Sequence, residues 1–143
     1  MLRDELAQAL AAFATSTITT LRETLGIEAA FRGSGPAAGA CITVAIEVTG
    51  DLRSVTWVFP VALARALARQ MTGDAPPSLD ELAAIELANI LTGRGAASLE
   101  ERGLRIELAV PRIAIGTIAG ASVRLLTDVG PVDISFEPRR MAA

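Results

Sequence analysis

One helix-patterned stretch, SLDELAAIELANILTGRGAASLEERG (78–103), carries a carboxylate and a carboxamide three positions apart, Glu86 and Asn89. At about 100° per residue, positions three apart share a helix face. A carboxylate can pair with a Lys or Arg of a partner and fix its orientation. A carboxamide offers both a donor and an acceptor, so it can hold a water in line for attack on phosphorus without needing a shifted pKa. Ala84, Leu87, Ala88, Leu91, Gly95 and Leu99 gather on one side of the same helix, where they can pack on a sheet. Glu86 and Asn89 share nearly the opposite side, with Leu82, Ala83, Ile90, Gly93, Ala96 and Ala97 around them. A solvated face would carry Lys, Arg, Glu and Gln. An acid and an amide among small or apolar residues have the character of a docking surface, with Gly93 and Ala83 permitting close approach. E-x-x-N is nonetheless a short and common pattern, and spacing alone favours an ordinary solvent-facing acid and amide.

Composition removes most other chemistries. There is no His and no Tyr, and Cys41 is the only cysteine. That excludes Ser-His and Cys-His pairs, His ligands for zinc and an internal disulfide. Cys41 lies in CITVAIEV (41–48) and reads as a buried strand residue rather than a nucleophile. A net charge of -3, without any Lys/Arg run beyond Arg139-Arg140, argues against nucleic acid or an anionic membrane as partner. Asp4 and Glu5 break any secretory pattern at the N-terminus, and no apolar run is long enough to span a bilayer. The expectation is a cytoplasmic protein folding as one domain over residues 1–143. Apolar residues make up 51% and aromatics 3%, so the expected core is built from Ala, Val, Leu and Ile.

The elements that must position the pair follow from periodicity and punctuation. Leu2, Leu6, Ala9, Leu10, Phe13, Leu21 and Leu25 form a helical stripe that continues through the Thr-rich TSTITT and stops at Gly26. RGSGPAAGA (32–40) reads as a loop. CITVAIEV (41–48) and LRSVTWVF (52–59), joined by TGD (49–51), read as an antiparallel hairpin closed by Pro60. A helix over 61–71 and a loop over 73–78 follow. The long helix is expected over 79–102, capped by Ser78 with Glu81 as reciprocal partner and stopped at Gly103. LRIELAVP (104–111), RIAIGTI (112–118), SVRLLTD (122–128) and VDISFE (132–137) have strand character, with Gly130-Pro131 as a hairpin turn. Strands clustered in this way, without βαβ alternation, predict an α+β fold: a layer of helices on a largely antiparallel sheet.

IELANILTGRGAASLEERGLRIELAVP (85–111) resembles the signature region of the CheX/CheC/FliY phosphatases of bacterial chemotaxis. That signature has an Asp or Ser, then a Glu four positions on, an Asn three further, and a more distant Pro. LGIEAAF (25–31) and SVTWVFPVALARALARQMTG (54–73) also resemble CheX segments, in the same order, so the likeness runs along nearly the whole chain. The resemblance implies a CheX-like fold and removal of the aspartyl phosphate from a phosphorylated CheY-like receiver. Glu86 would bond a receiver Lys, and Asn89 would enter the receiver's active site to orient the attacking water. Leu82, Ala83, Ile90 and Gly93 would contact the partner. The Mg²⁺ of the reaction belongs to the receiver, so no cofactor of the chain's own is implied. A single Glu/Asn pair, in a family whose CheC-like members often carry two, implies a homodimer. The chain departs from the pattern at Leu82, which stands where the family prefers Asp or Ser, and at Pro111, one residue short of the usual spacing. A CheX-like module that binds a receiver or a flagellar-switch partner without hydrolysis is the alternative.

Three other features carry less. Gly93-Arg94-Gly95 lies inside a helix and reads as close helix packing rather than a phosphate loop. Asp128 and Asp133 read as turn residues rather than metal ligands, and Trp57 reads as core or interface.

Overall fold

The computed structural model describes residues 3–31, 39–114 and 121–139. Among them the elements run α1 (Arg3–Leu25), β1 (Ala29–Phe31), β2 (Cys41–Gly50), β3 (Leu52–Pro60), α2 (Val61–Thr72), a 3-10 turn (Pro77–Leu79), α3 (Asp80–Glu100), β4 (Ile106–Ala114), β5 (Ala121–Thr127) and β6 (Gly130–Pro138). The six strands form one antiparallel sheet in the order β1-β5-β6-β3-β2-β4, and the three helices cover one of its faces. This is the expected α+β layer. Most of the predicted 32–40 loop, the end of the predicted 112–118 strand, Leu2 and Arg140 lie outside the described residues.

The helix-facing side of the sheet follows directly from strand alternation. Val44 pairs with Trp57, and Trp57 with Ile134, so one row across β2, β3 and β6 points inward, and all three are fully buried. The expected aliphatic core needs correcting. Of the four Phe and one Trp in the chain, Phe13, Trp57, Phe59 and Phe136 are fully buried and meet at its centre. Phe13 of α1 meets Phe136 edge-on with ring centroids 4.9 Å apart and lies 5.8 Å from Trp57, which stacks on Phe59 at 5.6 Å. Small residues around these rings let the helices lie close to the sheet, and the rings fill the space between.

The Thr-rich middle of α1 stays helical because its hydroxyls turn back onto the helix. Thr15 donates to the Ala11 carbonyl at 3.0 Å, and buried Thr17 donates to that of Phe13 at 2.9 Å.

Several local expectations are revised. Ser78 does not cap α3: it sits exposed in the 3-10 turn, and Leu79, the residue before the helix, makes no side-chain capping bond. Pro77, with φ already set for a helical turn, begins that segment instead. The other end of the helix is as expected. Gly103, at φ 80°, donates to Glu100 O at 3.0 Å, and Leu104 N–H reaches Leu99 O at 3.0 Å, which closes the last turn. The runs on either side of Pro111 form one strand, β4, with Pro111 paired to Ile46 beside a register shift in β2. Because β4 is an edge strand, it tolerates a proline that would break a central one.

The β5–β6 turn is Asp128-Val129, and Gly130 and Pro131 belong to β6. The Thr127 hydroxyl accepts from Val129 N–H at 3.1 Å and donates to Gly130 O at 2.7 Å, which holds that turn. Cys41 is exposed at the start of β2. Arg139 is tied to the sheet: it donates to the carbonyls of Gly50 and Val48, both at 3.2 Å.

Candidate functional site

The site helix α3 is fixed on three sides. Toward the sheet, Ala84, Leu87, Ala88, Leu91, Gly95 and Leu99 are all buried, as their spacing predicts. In the middle of that face the Trp57 indole N–H donates to the Thr92 hydroxyl at 2.9 Å, a buried bond that joins α3 to β3. Toward α1, Gly95 lies against the Phe13 ring. A Cβ built on Gly95 would fall 2.5 and 2.6 Å from Cδ2 and Cζ of that ring and closer still to Cε2. The glycine-bearing segment is therefore a helix crossing, as read from the sequence. Toward α2, Arg65 donates to the Asp80 carboxylate at 2.8 Å, and the pairing raises the arginine's pKa above its ordinary value through that hydrogen bond and the charge of Asp80.

What remains free is the outward ridge. At about 100° per residue, Leu82, Glu86, Asn89 and Gly93 fall within an arc of about 60°. Leu82, Glu86 and Gly93 are exposed, and Asn89 is half-buried. Among the described residues neither the Glu86 carboxylate nor the Asn89 carboxamide has a hydrogen bond or an ion pair. An added Cβ at Gly93 meets nothing within 4 Å, so the backbone there is open to a partner. Ile90 is half-buried on the flank. Ala83 differs from the expected exposed contact: at 5% exposure it belongs to the core cluster, in the cleft between α2 and α3.

That cleft was not anticipated from the sequence. It has a volume of about 370 Å³ and is lined by Ala68, Met71, Leu79, Leu82, Ala83 and Glu86, among others. Its sequence signal was present but unread: Met71 and Leu82 are large apolar residues on the outer faces of consecutive helices, at 60% and 63% exposure.

The remaining motifs have structural roles. Trp57 is core. Asp133 is committed to Arg124 through two bonds of 2.6 and 2.9 Å, which raise the arginine's pKa, chiefly by hydrogen bonding. Among the described residues no group of three or more Cys, Asp or Glu is arranged to hold a metal ion. No helix among them is long and apolar enough to cross a membrane.

A sheet covered on one face by three helices, with an acid and an amide on the outward ridge of one of them, defines a small α+β class of module. No protein-family model matches the chain, and no curated protein matches it by sequence. Solved structures do. The chain is similar to the chemotaxis protein CheX from Desulfovibrio desulfuricans, at a TM-score of 0.73 and 21% identity over 92% of this chain and 99% of that one. It is similar to CheX from Vibrio vulnificus, at 0.70 and 23% over 91% and 99%. It is also similar to the CheX–CheY–BeF3–Mg²⁺ complex from Borrelia burgdorferi, at 0.65 and 13% over 91% and 97%. The chain has a CheX-like fold.

Proposed function

We propose that this chain is a phosphatase that removes the aspartyl phosphate from a CheY-like receiver. Glu86 docks the receiver by pairing with a Lys beside its phosphorylated Asp. Asn89 enters the receiver's active site and holds a water in line with the phosphorus. The water oxygen bonds to phosphorus, the bond to the carboxyl oxygen breaks, and inorganic phosphate leaves a free Asp carboxylate on the receiver. The Mg²⁺ that neutralises charge in this step is the receiver's, and the chain supplies no cofactor.

The observation that carries this reading is an acid and an amide, both unpartnered among the described residues, on the outward ridge of a helix whose other sides are held. A side chain on such a support is positioned before the partner arrives, and positioning is most of what phosphoryl transfer asks of a protein. The likeness to a CheX structure in complex with CheY supports the choice of partner. The protein would act in the cytoplasm as a homodimer. The edge strand β4, with Leu108 and Val110 exposed, offers a surface for the second copy.

The test is the rate at which a phosphorylated receiver loses its acyl phosphate, with wild type and with Asn89→Ala. Wild type should accelerate the loss, and Asn89→Ala should remove about a hundredfold of that acceleration while still binding. A wild type that binds and leaves the phosphate lifetime unchanged would make the chain a non-catalytic receiver-binding or flagellar-switch module instead.

A further inference from the structure

Beside Glu86 the molecule presents something that an acid and an amide do not need: an apolar cleft between two helices. Its floor is Ala68 of α2 and Ala83 of α3, with Leu79 at one end. Met71 and Leu82 stand on its two sides, both more than half exposed. Leaving two such side chains in water costs free energy that a partner recovers by covering them. Met is unbranched and flexible, and so adapts to whatever shape enters. The Glu86 carboxylate lines the same cleft and has no cation beside it among the described residues.

We propose that this cleft is the specificity pocket of the docking surface, and that it takes an aliphatic or aromatic side chain of the receiver carried next to the cation that meets Glu86. The inference rests on the receiver-phosphatase reading and extends it. Charge complementarity selects the occupant, because an apolar side chain with an adjacent Lys or Arg satisfies the cleft and the lone carboxylate together. Leu82 then explains itself. It lies one turn before Glu86 on the same ridge, where the resembled pattern has Asp or Ser, and a polar residue there would remove one of the two large apolar side chains that the cleft leaves exposed. Cleft, carboxylate and amide lie in sequence along α3, so one approach of the partner engages all three.

The experiment uses a CheY-like receiver of the same genome, carrying beryllofluoride for binding and acyl phosphate for turnover. Leu82→Ser and Met71→Ser change exposed side chains and should leave the melting temperature near that of wild type. Each should weaken binding and raise KM about tenfold, with a much smaller effect on kcat. Asn89→Ala shows the reverse pattern. Leu82→Asp, which installs the residue of the resembled pattern, should weaken binding as much as Leu82→Ser does. Unchanged binding and KM in both serine variants overturn the pocket while leaving the phosphatase reading intact, and tighter binding by Leu82→Asp does the same. If the serine variants instead dissociate a homodimer in sedimentation at unchanged receiver affinity, the cleft belongs to a second copy and the proposal fails. A wild type that binds no phosphorylated receiver overturns the functional reading, and the pocket with it.

Discussion

Replacing Gly95 with alanine tests how closely the site helix is seated. In an open helix interior, Gly→Ala stabilises by about 1 kcal/mol, because alanine loses less backbone freedom on folding. At Gly95 the new methyl would fall on the ring of Phe13, within 2.6 Å of three of its carbons. Phe13 cannot turn aside: it is fully buried, with Trp57 and Phe136 against it. Overpacking of this kind costs roughly 1–3 kcal/mol, so after the helix gain the net effect is a loss of about 1 kcal/mol. Gly93, two residues earlier, is the matched control, since an added Cβ there meets nothing within 4 Å and should give the full gain. The two alanine variants should therefore differ by about 2 kcal/mol in urea denaturation, or roughly 6 °C in melting temperature at this chain length. If Gly95→Ala is as stable as Gly93→Ala, α1 and α3 are not in the close contact described, and the claim that α3 is held from the α1 side is wrong.

Three further outcomes are expected. Thr92→Val leaves the buried Trp57 indole N–H without its acceptor and should cost about 1–3 kcal/mol, read by denaturation with the emission of the only tryptophan reporting the change around that ring. Arg124→Met strands the Asp133 carboxylate at 15% exposure and should destabilise by about 1–2 kcal/mol, with Asp133→Leu in the same chain recovering most of the loss. Gly93→Gln should fold as well as wild type, because nothing occupies the space, yet raise KM for a phosphorylated receiver by about tenfold by holding the two surfaces apart.

How much of this was legible beforehand depends on which interaction each residue answers to. The inward stripe of α3, the crossing at Gly95 and the outward placement of Glu86 and Asn89 follow from the helical repeat, and were readable because they depend on one helix alone. Ala83 was misplaced because its burial depends on α2, and nothing in the local pattern says on which flank of α3 that helix lies. The cleft stayed invisible for the same reason, since its walls come from two elements. Pro111 looked like the end of a strand, yet its tolerance comes from β4 standing at the sheet edge, a fact of topology. Ser78 and Glu81 made a plausible capping box, but the proline before them sets the entry by backbone geometry instead. Low aromatic content hid the fact that four of the five rings would be gathered together at one point.

The small residues along the exposed ridge have a consequence for the tempo of any encounter. Each rotamer-rich side chain frozen at an interface costs about 0.5–1.5 kcal/mol of conformational entropy. Around Asn89 the ridge offers Gly93, Ala96 and Ala97, which have no rotamers to lose. Binding there would freeze little on this side of the contact, while the few extended side chains, Met71, Leu82 and Glu86, would supply most of what holds a partner. Such a surface suits rapid association with modest affinity and quick release, which lets one copy visit many partner molecules in succession.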